Sequence, residues 1–183
     1  ADEDFIGKHK VGSTKSMRHV RSTTGWLNSC SLLQEKHGRL FYPRGFPFEM
    51  RDTEELWQFA RGPARPVVNA GLWLGDPDID ALERLCHLGE PIDAVKYTGE
   101  ESLALAPETW TPFNSQNTAL HRDVIPAFML VPSVRRPCDI FASYLVKRIA
   151  DHLGDSVTVG GPIVRQERNP HNYWRDFDQE RYG

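Results

Sequence analysis

The sequence predicts an α/β fold in a single domain, on three observations. A short apolar run, "PVVNAGLWLG", is bounded by Pro66 and Gly75 and suits a buried strand; Leu82, Leu85, Cys86 and Leu88 then follow at helical spacing. Asp139 opens a second helix, "DIFASYLVKRIADHLG", in which Ile140, Phe141, Tyr144, Leu145, Ile149 and Leu153 repeat at three and four residues and Gly154 is a natural stop. The run "VTVGGPIV" after it is strand-like. Strands alternating with helices favour α/β over an all-α or all-β architecture.

The remaining elements follow in order. Residues 1–25 are polar and basic, with Lys8, His9, Lys10, Lys15, Arg18 and Arg21, and are expected as a loop-rich lead-in. Residues 26–183 are read as the body of the domain. "TGWLNSCSLL" and the aromatic, proline-punctuated "RLFYPRGFPFE" predict a structured loop. Thr53, Glu54 and Glu55 ahead of Leu56, Trp57 and Phe59 predict a short helix with acids in its first turn. "NTALHRDVIPAFML" carries a strand and a turn, and the tail "RQERNPHNYWRDFDQERYG" a packing helix or a loop over a site.

Composition excludes several classes. The chain has 183 residues and is 39% hydrophobic, enough for one sizeable core. Its 22 basic and 25 acidic residues are spread along the length, so no footprint for nucleic acid exists. Three cysteines, Cys30, Cys86 and Cys138, lie far apart without CxxC pairing, which fits a reducing cytoplasm. No apolar run approaches the roughly 18 residues of a membrane span, and no signal peptide is evident. The chain opens with Ala-Asp-Glu-Asp rather than Met, as a processed chain or part of a longer one would. Phosphate-cradling glycine loops, nucleophile elbows and HExxH helices are absent from the sequence.

Four constellations hold chemistry suited to polyhydroxylated ligands, which carboxylates and amides bind through hydroxyls while indoles cover sugar faces. Asp2 and Asp4, in Asp-x-Asp spacing, can place two oxygens on one Mg²⁺ or Mn²⁺, or can simply be solvated at a polar start. Trp73 precedes Asp76, Asp78 and Asp80: a sugar-binding loop, or a buried Trp with capping aspartates. Asp139 begins a helix whose N–H groups favour its carboxylate form, as a general base needs, and Arg135 and Arg136 just upstream suit a diphosphate. Spacing alone reads that same Asp139 as an N-cap after Pro137 with two surface arginines. His171 stands among Asn169, Asn172, Tyr173 and Trp174, as a metal ligand or a hydrogen-bonded surface residue.

Read in order, "VNAGLWLGDPDIDAL", "PFNSQNTALHRDVIPAFM" and "CDIFASYLVKRIADHLG" resemble the second half of the plant reversibly glycosylated polypeptides, the UDP-arabinopyranose mutases. They are also similar to STELLO-type and bacterial glycosyltransferase-like proteins. The resemblance covers about Asn69 to Asn172 and implies a GT-A-like, Rossmann-like mixed sheet flanked by helices, of which this chain holds the acceptor-side part. It further implies Asp2 and Asp4 as metal ligands, with Mn²⁺ or Mg²⁺ on the diphosphate of a nucleotide-sugar donor; His171 is the further candidate ligand, from its own surroundings. Asp139, followed by Leu145 and Arg148, falls at the position of the base that takes the acceptor hydroxyl proton, although Cys138 stands where an acid is usual. Trp73, Asp76, Asp78, Asn114, Gln116 and Asn117 would hold sugar or acceptor, and Arg135 and Arg136 the diphosphate.

The expected function is therefore metal-dependent glycosyl transfer to a hydroxyl acceptor. A nucleotide-sugar mutase and a non-catalytic binding subunit are the alternatives. A GT-A fold devotes roughly a hundred residues ahead of Asp-x-Asp to holding the nucleoside. Either a longer chain supplies them, or a partner chain or homo-oligomer does, or turnover of nucleotide sugars has been lost.

Overall fold

The computed structural model describes residues 11–180. Eight strands form one mixed sheet: β1 (Lys15–Ser22), β2 (Leu33–Glu35), β3 (Trp57–Ala64), β4 (Pro66–Gly75), β5 (Ala94–Tyr97), β6 (Leu103–Leu105), β7 (Thr118–Leu120) and β8 (Ser156–Gln166). Three helices accompany them: α1 (Ala81–Cys86), α2 (Cys138–Leu153) and α3 (Tyr173–Glu180). The strand order is β2-β5-β4-β8-β6-β1-β3, with β7 paired to β4 off this path. Pairs β4–β8 and β1–β6 are parallel and the others antiparallel, the arrangement of a partial Rossmann-like α/β domain.

The sheet centre follows from its residues. Strand β4 is buried almost throughout, as a strand paired in parallel and covered on both faces must be. Val67, Val68, Val157 and Val159 from β4 and β8 pack with Val20, Leu105, Phe41, Val146 and Ala150 in one core. Gly71 in β4 is required by packing, because a Cβ there would sit 2.4 Å from Asn117 Nδ2. Helix α2 ends where the sequence predicts: Gly154 takes the left-handed conformation at φ 74°, and its N–H bonds back to the last turn.

Three expectations are corrected. The lead-in to residue 25 contains β1, whose partners β3 and β6 lie far along the chain. The segment after Thr53 is not a helix but the entry to β3. The buried stripe of α2 is Ile140, Ser143, Val146, Lys147 and Ala150, whereas Phe141, Leu145 and Leu153 are exposed. Lys147 can enter the interior because its ammonium donates to Asp151 and, at 3.2 Å, to the Ala106 carbonyl.

Candidate functional site

The site is organised by an arginine that the sequence reading did not select. Arg44, in the loop before Gly45, donates from Nε to Asp78 Oδ2 at 3.0 Å. One of its terminal nitrogens reaches both carboxylate oxygens of Asp139, at 3.0 and 2.9 Å, and the other donates to the Arg136 carbonyl at 2.8 Å. It thereby joins the loop after β4 to the first turn of α2. Asp139 is not an N-cap: Pro137 holds that position, and the Asp139 carboxylate turns to Arg44 while accepting the Ile140 N–H at 3.0 Å.

Asp78 is 3% exposed and fully partnered, accepting from Asn114 Nδ2 at 2.8 Å and Arg168 at 2.6 Å besides Arg44. Burial alone would raise the Asp78 carboxyl, but Arg44 and Arg168 outweigh it and hold it below the usual carboxylate range. Asp76 pairs with Arg84 at 2.6 Å. Asp80 occupies the N-cap position of α1 without capping it; its carboxylate goes to Arg51 and to the Gly45 N–H. Burial raises Asp80 in spite of Arg51, and burial raises Glu83, which also pairs with Arg51, to about 7. The acidic loop is thus a carboxylate–guanidinium lattice rather than a row of helix caps.

Trp73 is 4% exposed, its indole in the core and its Nε1 donating to Gln116 Oε1 at 3.0 Å. It offers no open face to a sugar. Asn114 and Asn117 are likewise buried; the Asn117 amide donates to the Leu72 carbonyl at 2.6 Å, and Asn114 Oδ1 accepts the Gln116 N–H at 3.0 Å. The cavity between Arg44, Asp78 and Asn114 measures about 20 Å³, space for about one water. Of the expected sugar-binding set, only Asp76 and Gln116 keep accessible surface. Asp139 retains a 15% exposed side chain and joins the lattice through Arg44.

Arg136 is taken by α3, pairing with Asp176 and Glu180 at 3.0 Å each, while Arg135 is exposed. A diphosphate would therefore meet Arg135 without rearrangement but not Arg136. His171 faces Asp176 at 3.3 Å. Among the described residues no three His, Cys, Asp or Glu side chains gather to hold a metal, and Asp2 and Asp4 lie outside the described residues. Arg44, Arg51, Arg84 and Arg168 were the residues missed; the only sequence signal was Arg44 inside the aromatic "YPRGF" loop.

Comparison with known proteins supplies the family context. No family model matches the chain. It is 29% identical over 176 residues to UDP-arabinopyranose mutase 3 of Arabidopsis thaliana, an alignment covering 89% of this chain and 44% of that protein. It is 30% identical over 180 residues to the probable UDP-arabinopyranose mutase 1 of Solanum tuberosum, with the same two coverages. UDP-arabinopyranose mutase 1 of Arabidopsis thaliana is 29% identical over 180 residues. The chain spans a little under half the length of these relatives. Among the described residues no helix is long and apolar enough to cross a membrane.

Proposed function

We propose that this chain, homologous to the UDP-arabinopyranose mutases, forms the sugar-side part of a nucleotide-sugar ring mutase. The observation that carries the reading is that similarity, sustained over 89% of the chain. It favours the ring-mutase alternative over transfer to a separate acceptor. A pyranose-to-furanose change swaps which oxygen closes the ring: one hydroxyl loses a proton and the former ring oxygen gains one. A single carboxylate with an accessible edge can take the first proton and return it to the second.

Asp139 is the residue proposed for that transfer. Arg44 fixes its carboxylate from one side, so its position is set before substrate arrives. Asp76 presents an acceptor and the Gln116 amide nitrogen a donor to sugar hydroxyls, and Arg135 a guanidinium to the diphosphate.

The test incubates the full-length protein with UDP-arabinopyranose, with and without an added hydroxyl acceptor, and resolves products by chromatography and mass spectrometry. Ring-isomerised product without acceptor is expected. Asp139→Asn, which keeps shape and removes basicity, should lower turnover about 10²- to 10⁴-fold while KM stays within about threefold. Product that forms only when acceptor is present would restore glycosyl transfer as the reading.

A further inference from the structure

An open cleft of about 600 Å³ lies among the loops around Asn28, Tyr42 and Asp52, within the size range of small-molecule sites. The proposed mutase residues do not line it. Its apolar wall is the half-buried Tyr42 and Trp57, and the buried Phe46 packs with its ring 5.0 Å from that of Tyr42. Glu55 stands against that wall with its carboxylate locked in place: one oxygen accepts the Trp57 indole N–H and the other accepts the Asn28 N–H at 3.1 Å. Each oxygen keeps a lone pair for a further donor. The rim is acidic and exposed, through Asp52 and Glu54.

The charge arrangement selects the ligand. Arg51 is the cation among the lining residues, and its guanidinium is already committed to Asp80 and Glu83 while stacked 3.9 Å over Phe48. Three carboxylates with no free guanidinium disfavour a phosphate-bearing ligand by Coulomb repulsion. Aromatic faces beside a fixed hydroxyl acceptor suit a neutral sugar ring, whose C–H face packs on the rings while its hydroxyls donate outward. We infer that this cleft binds a neutral saccharide, apart from the nucleotide sugar assigned to the Asp139 region. The inference stands on the cleft alone and does not depend on the mutase reading.

Saturation-transfer NMR on the full-length protein tests it, with L-arabinose, D-galactose, D-glucose and cellobiose as neutral probes and choline as a cationic one. At least one neutral sugar should give transfer signals. Trp57→Ala and, independently, Thr53→Arg at the exposed rim should each weaken that sugar at least tenfold, while Gln58→Ala leaves it unchanged. Thermal melts confirm which variants are folded, and Thr53→Arg alters no buried residue if Trp57→Ala fails that check. The inference is overturned if no sugar gives a signal, if signals survive both blocking variants, or if choline alone binds.

Discussion

Arg44 concentrates the energetics of the site at one side chain. It is 8% exposed and joins two carboxylates, and burial, which alone would lower its pKa, is outweighed by Asp78 and Asp139, so the guanidinium stays charged. Arg44→Met keeps much of the volume but leaves Asp139 unpaired and Asp78 with less compensation. It should cost about 3–5 kcal/mol in urea unfolding, the range for breaking a buried pair from one side. Glu83 makes the complementary point about pH. Its folded pKa of about 7 lies above the unfolded value near 4.5, so its contribution is complete below pH 4.5 and is lost as pH rises through 7. Glu83→Gln should therefore leave stability near pH 4.5 unchanged and raise it at pH 8 by on the order of 2 kcal/mol, flattening the slope between. An unchanged pH profile would remove Glu83 as its source. None of this was legible from spacing, because an aspartate before a helix looks the same whether it caps the helix or pairs with an arginine thirty residues away.

Secondary-structure elements were legible where local pattern and tertiary burial agree. Strand β4 shows as a continuous apolar run because both its faces are covered, and α2 shows its stop because Gly154 must be left-handed there. Strands β1 and β3 were not legible. They sit at one edge of the sheet, β3 is mostly exposed, and so neither carries the period-2 alternation that marks a half-buried strand. The acids before β3 imitate a helix start, yet Glu55 serves the Asn28 N–H and the Trp57 indole instead. At α2 the apolar spacing was right while the buried face was rotated, since Ser143 and Lys147 are buried with partners of their own. The loop carrying Arg44 is placed against α2 by Gly45, at φ 88°, where a Cβ would come within 2.5 Å of Ile140 Cγ2. Gly45→Ala should cost about 1–3 kcal/mol and lower turnover by displacing Arg44 from Asp139; unaltered stability and turnover would show that this contact does not position the site.

At the scale of the molecule, the arginine–carboxylate lattice ties the loop after β4, the Arg44 loop, the start of α2 and helix α3 into one face, with Glu180 also accepting the Ala81 N–H at 2.7 Å. Similarity to the mutases extends over 89% of the chain, although the chain corresponds to under half of their length. A ring mutase catalyses a reversible isomerisation, and that property separates it from a transferase or a binding subunit. The most direct measurement supplies the full-length protein, in separate reactions and without acceptor, with the pyranose and the furanose forms of UDP-arabinose. Both reactions should approach the same pyranose-to-furanose ratio, slowly with Asp139→Asn and rapidly without it. Conversion in neither direction, or release of free sugar and UDP in place of isomer, would contradict the mutase reading.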